Sequence, residues 1–119
     1  MTGPWEIVET SEYATWFGSL TEKQQAAVRN RVEVLASGGP SLGRPYVDSL
    51  RGSRLRGLKE LRVSSNGHLR ILFIFDPARH CLLILGGDKS RDNRWNDWYR
   101  TAIAQAEQIY ERYRRGDTT

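Results

Sequence analysis

Residues 58–85 read LKELRVSSNGHLRILFIFDPARHCLLIL, and this stretch decides the fold. Three extended segments lie in it, separated by two turn signals. Leu58 to Ser64 alternates, so Glu60 and Arg62 share one face while Lys59 and Leu61 share the other. Ser65-Asn66-Gly67 follows, and Asn-Gly favours the positive φ angles of a tight hairpin. His68 to Phe75 forms the second strand, which Asp76-Pro77 breaks. His80 to Leu85 forms the third, ended by Gly86-Gly87. The last two strands are almost continuously apolar, which places them centrally, with at least one face covered.

Upstream, Trp5 to Glu9 reads as a short strand, and Ser11 as the cap of a short helix running to about Ser19. Thr21-Glu22-Lys23-Gln24 is a capping box, in which the threonine and glutamine side chains satisfy each other's backbone N–H groups. The helix it opens carries Val28, Val32 and Leu35 as an apolar stripe, with Arg29, Arg31 and Glu33 facing away. Gly38-Gly39-Pro40 stops it. Ser41 to Arg56 is a long Gly/Pro/Ser/Arg connection, with a short strand expected at Tyr46 to Leu50. Downstream, from about Asp97 to Arg114, Ile103, Ala106, Tyr110 and Tyr113 recur at helical spacing. The expectation is one α+β domain over residues 1–119. An N-terminal strand and a helical hairpin pack on a three- to four-stranded antiparallel sheet, with a C-terminal helix. The helices would cover one sheet face and leave the other as a shallow polar cleft.

With 119 residues and 39% hydrophobic content, one core forms without disulfide or metal staples. The charge is unevenly placed. From Arg44 to Arg70 there are seven basic residues against two acids, Asp48 and Glu60, so this segment is more positive than the whole chain's +4. Such a concentrated field suits phosphate, although a solvated basic face has the same composition. The lone Cys81 lies in an apolar run and reads as a buried, inert thiol in a reducing compartment. His68 and His80 lack metal-ligand spacing. No apolar run approaches a membrane span and the N-terminus has no apolar leader, so a cytoplasmic protein without membrane contact is expected.

Arg70 stands inside an apolar strand and must reach solvent, a carboxylate or a phosphate. The hairpin can return it beside Glu60 and Arg62. That trio reads either as a structural ion pair or as a carboxylate base with two charge stabilisers. Gly86-Gly87-Asp88-Lys89 lacks P-loop spacing and reads as a turn presenting Lys89. Arg91, Arg94, Trp95, Trp98 and Tyr99 interleave cations with aromatics, a pattern that stacks bases or anchors a helix.

The run Leu42-Gly43-Arg44-Pro45, Asp48-Ser49-Leu50, Leu58-Lys59-Glu60-Leu61-Arg62, Arg70-Ile71-Leu72-Phe73, Phe75-Asp76-Pro77, Gly86-Gly87-Asp88-Lys89 and Trp98-Tyr99 resembles the phage-derived Gp49-like branch of the RelE/HigB toxin superfamily. The resemblance implies a RelE-like fold and a type II toxin that cleaves messenger RNA, usually in the ribosomal A site, without metal or other cofactor. It implies a helix-turn-helix antitoxin partner of HigA type, with operator DNA reached only through that antitoxin. By position it puts Glu60 where some relatives carry a carboxylate base and others a lysine, and Arg62 and Arg70 where relatives bind phosphate. It puts Lys89 near a basic residue after the last strand, and Tyr99 at an aromatic that orients RNA. Arg54, Arg56, Lys59, Arg91 and Trp98 are the further RNA-binding candidates. Some relatives place a histidine near the C-terminal end; this chain has none after His80, so the general acid stays open, with Lys89 and Tyr99 as the candidates. The competing readings are a ParE-like gyrase poison, and a non-enzymatic RNA-binding or corepressor protein.

Overall fold

The computed structural model describes residues 4–64, 68–88 and 95–116, with only the backbone of residues 95 and 96. In chain order the elements are β1 (Glu6–Glu9), α1 (Ser11–Gly18), α2 (Glu22–Gly38), a 3-10 turn (Gly39–Ser41), β2 (Val47–Ser49), β3 (Lys59–Val63), β4 (Leu69–Phe75), β5 (His80–Asp88) and α3 (Trp95–Arg114). The strands form a five-stranded sheet ordered β1-β5-β4-β3-β2. Strands β3, β4 and β5 pair antiparallel as expected, with β4 central. The hairpin turn at 65–67 lies outside the described residues.

The sheet is larger than the expected three to four strands, and it is mixed rather than antiparallel. β1 runs parallel to β5, with Ile7 opposite Cys81. Two helices and three strands separate this pair in the chain, so no hairpin constrains its direction. Thr10, rather than Ser11, caps α1 and closes the junction. Its Oγ1 donates to the Ile84 carbonyl at 2.6 Å and accepts from the Tyr13 N–H at 3.0 Å. The capping box of α2 is present, with the Gln24 N–H donating to Thr21 Oγ1 at 3.1 Å and the Thr21 N–H to Gln24 Oε1 at 3.0 Å.

Helices cover both faces of the sheet, not one. Tyr13, Val28 and Leu35 of α1 and α2 pack on Leu61, Val63, Ile71, Phe73 and Leu83. Ala102, Ala106 and Ile109 of α3 pack on Leu58, Leu72, Ile74, Leu82 and Ile84 of the opposite face. The apolar residues on both faces of β4 and β5 require this, because an uncovered face would expose four large aliphatic side chains. No helix of the described residues is long and apolar enough to cross a membrane. Arg31, expected to face away, instead lies half-buried. It donates from Nη1 to the Arg62 carbonyl at 3.0 Å and stacks 4.4 Å from the Tyr46 ring.

The glycine pair does not end β5 but lies within it. A Cβ at Gly86 would stand 2.4 Å from the Trp16 ring, and one at Gly87 would stand 2.7 Å from the Trp98 ring. The two glycines are thus notches that receive an indole from each helical layer.

Candidate active site

Alternation along β3 turns Glu60 and Arg62 toward α3, together with Leu58. The antiparallel register then sets Asp48 of β2 opposite Glu60, and Arg70 of β4 opposite Arg62. Gly87 of β5 is opposite Arg70 in turn. Trp98 sits in the Gly87 notch and meets Tyr99 edge-on at 5.0 Å, which fixes the first turn of α3. The Tyr99 phenol reaches across to β3.

The Glu60 carboxylate is the hub. Its Oε1 accepts the Tyr99 hydroxyl at 2.6 Å and lies 3.7 Å from Arg70 Nε. Its Oε2 accepts from Arg62 Nε at 3.1 Å, with Arg62 Nη2 also at 3.1 Å. The same Nη2 reaches Asp48 Oδ2 at 3.1 Å, and Arg44 Nη2 reaches that oxygen at 3.0 Å. Glu60 is only 2% exposed and Arg70 8%. Charges this deep persist only when paired, and this pairing is mutual. Arg70 is incompletely satisfied: Nη1 donates to the Leu69 carbonyl at 3.0 Å, but among the described residues its buried Nε has no hydrogen-bond acceptor.

Burial, followed by the hydrogen bond and charge of Glu60, pushes the Tyr99 phenol up to about 12 against the opposing Arg70 guanidinium. Tyr99 is therefore a neutral donor across the physiological range. Burial works to raise the Asp48 carboxyl, but the hydrogen bond and charge of Arg44, the Ser49 N–H and the Arg62 charge outweigh it, holding Asp48 below the usual carboxylate range.

The structure brings Glu60, Arg62, Arg70 and Tyr99 together, with the Tyr99 hydroxyl on the central carboxylate. Instead of an open shallow patch, the cluster lies under α3. Lys89 and Arg91 are outside the described residues. Lys59 is on the opposite sheet face, its Nζ 5.6 Å from the Phe75 ring centre. Trp98 packs against the α3 core layer. Arg54 and Arg56 are exposed on the β2–β3 loop, Arg54 pairing with Glu107 of α3 at 3.4 Å. The residue missed from sequence is Asp48. Its signal was the acid in the short β2 segment, but only the β2–β3 register makes it a neighbour of Glu60. No group of three or more His, Cys, Asp or Glu side chains among the described residues could hold a metal ion. The cluster offers a carboxylate that can take a proton, two guanidiniums that can brace an anion, and a phenol that can give a proton.

A family model described as phage-derived protein Gp49-like matches residues 15–111. The chain is 42% identical over 107 residues to the candidate toxin HigB3 of Mycobacterium tuberculosis, covering 90% of this chain and 91% of that protein. It is 38% identical over 104 residues to the candidate toxin HigB2 of the same organism, covering 86% of this chain but only 51% of HigB2. Among solved structures it resembles a double arginine-to-alanine mutant of the Escherichia coli toxin RelE in the free state. There the TM-score is 0.60 at 10% identity, over 75% of this chain and 87% of that one. It also resembles a chain of the M. tuberculosis RelBE2 toxin-antitoxin complex, with a TM-score of 0.57 at 18% identity, over 71% of this chain and 98% of that one. At these identities the structural likeness is one of fold. The extent of the family match, together with the identity to HigB3 along nearly its whole length, establishes that this chain belongs to the phage-derived Gp49-like family, as a homologue of HigB proteins with a RelE-like fold.

Proposed function

We propose that this protein is the toxin of a type II toxin-antitoxin pair and acts as a ribonuclease on messenger RNA in the ribosomal A site. The observation that carries the reading is the Glu60 carboxylate held between two arginines and a protonated phenol on one sheet face. In the proposed reaction the RNA 2′-oxygen attacks the adjacent phosphorus and the bond from phosphorus to the 5′-oxygen breaks. This leaves a 2′,3′-cyclic phosphate and a 5′-hydroxyl end. Glu60 Oε1 takes the 2′-hydroxyl proton. Arg62 and Arg70 brace the negatively charged phosphorane, and the Arg70 Nε–H, which has no hydrogen-bond acceptor among the described residues, supplies one donor for it. Tyr99 occupies in the free protein the oxygen at which a ribose hydroxyl must donate. It turns from Glu60 to the leaving oxygen as substrate enters and delivers its proton there. Side chains thus supply every proton and charge the reaction needs. Names and structures among the relatives favour a toxin neutralised by an antitoxin. Co-expression with an adjacent helix-turn-helix gene is expected to restore growth and yield a complex.

One observation favours a second reading. Glu60 is 2% exposed and both of its oxygens are taken by the protein's own groups, as in a purely structural network of a non-enzymatic protein. Glu60→Gln and Arg70→Ala separate the two when cleavage of RNA on programmed ribosomes is measured beside thermal melting. As a nuclease, Arg70→Ala loses about a hundredfold in rate, roughly 3 kcal/mol of transition-state stabilisation. Unchanged cleavage with a lowered melting temperature establishes the structural reading. DNA damage on induction, without messenger decay, identifies a gyrase poison instead.

A further inference from the structure

We propose that Asp48 is a positioning residue for this reaction, holding Arg62 off a full pairing with Glu60; the inference rests on the ribonuclease reading above. The geometry is a competition for one group. Arg62 Nε donates to Glu60 Oε2 at 3.1 Å while Nη2, equally near that oxygen, donates to Asp48 Oδ2 at 3.1 Å, so two carboxylates share one guanidinium and only its Nε is hydrogen-bonded to Glu60. They stand opposite each other across β2 and β3, which fixes their separation through the sheet rather than through flexible side chains. Asp48 is itself anchored, since its Oδ1 accepts the Ser49 N–H at 3.0 Å.

The consequence for the chemistry is specific. A guanidinium seated wholly on Glu60 would neutralise the carboxylate that must take the 2′-hydroxyl proton. It would also aim its own donors at that carboxylate instead of at phosphate. With Asp48 as a second anion, Arg62 keeps a partner when substrate arrives, and its plane stays set between β2 and β3. Asp48 touches neither the hydroxyl nor the phosphate in this scheme and works only through Arg62. Arg44, which also pairs with Asp48, is 76% exposed at its side chain and adds little constraint.

The test is a kinetic comparison of the wild type, Asp48→Asn and Asp48→Glu, each alone and in an Arg62→Ala background, on RNA in programmed ribosomes. Binding of an uncleavable 2′-O-methyl RNA and thermal melting are measured for each variant. The expected result is a fall in kcat of about tenfold for Asp48→Asn with little change in KM. RNA binding should stay unaltered, Asp48→Glu should recover most of the rate, and Asp48→Asn should have no further effect once Arg62 is alanine. Wild-type kcat in Asp48→Asn, or an equal loss in the Arg62→Ala background, overturns the positioning role while leaving the nuclease reading intact. An inactive wild type overturns the nuclease reading, and this inference with it.

Discussion

Tyr99 joins two parts of the molecule that are distant in sequence, and its ionisation gives the contact a measurable signature. The phenol is pushed up to about 12 by burial and by Glu60, whereas in the unfolded chain it titrates near 10. Below pH 10 both states keep the proton, and the stabilisation is fully present. Between about 10 and 12 the unfolded state loses its proton first, so unfolding releases protons and stability falls with rising pH. Buried Tyr13 shifts in the same direction and adds to the fall. Tyr99→Phe is therefore expected to flatten part of the drop in melting temperature between about pH 10 and 12, followed together with tyrosinate absorbance. An unchanged slope means that Tyr99 is not held on Glu60 in solution. At this scale the sequence was informative for Glu60, Arg62 and Arg70, because strand alternation and a short hairpin fix their neighbourhood. The contact of Tyr99 with Glu60 was not legible, since it depends on which sheet face α3 covers. Asp48 was hidden for a similar reason: pairing across a nine-residue connection has no local signal.

At the level of elements, β3, β4, β5, α2 and α3 follow from period, capping and turn chemistry, and each is found within a few residues of its expected limits. Two errors share one cause. The order of elements does not say which edge β1 joins or which face α3 takes, because both are long-range choices made by burial. The pattern LRILFIF in β4 did contain the clue: Leu72 and Ile74 are as apolar as Ile71 and Phe73, so both faces require cover. The glycines of β5 mark where that cover presses closest. Gly87→Ala would put a methyl group 2.7 Å from the Trp98 ring and force the first turn of α3 away from the sheet. Overpacking of this kind costs about 1–3 kcal/mol. The expected outcome is a modest loss of melting temperature together with a large loss of cleavage, because Tyr99 is displaced from Glu60. Retained cleavage would show that the Trp98 notch does not set the phenol.

At the scale of the whole molecule, the five arginines from Arg51 to Arg70 divide into two groups with different surroundings. Arg62 and Arg70 are drawn into the ion network beneath α3, whereas Arg51, Arg54 and Arg56 stand exposed on the loop between β2 and β3. That loop is not free to swing. Glu107 of α3 accepts from the Arg54 N–H at 2.7 Å and from Ser53 Oγ at 2.9 Å, pinning the arginines beside the helix that carries Tyr99. Its backbone anchor does not involve the guanidiniums, and the Arg54 side chain is 87% exposed. Replacing all three arginines by alanine should therefore leave the fold and the intrinsic chemistry largely intact. If the loop tracks an RNA backbone, the variant loses counterion release: the slope of log affinity against log salt falls by about 0.7 for each phosphate contact removed, or about 2 in all. Titrations of uncleavable single-stranded RNA at several salt concentrations measure this directly, with kcat at saturating substrate as the companion reading. A reduced slope with preserved kcat assigns the loop to substrate capture and the buried pair to chemistry. An unchanged slope returns the loop to an ordinary solvated surface and places RNA affinity elsewhere on the protein.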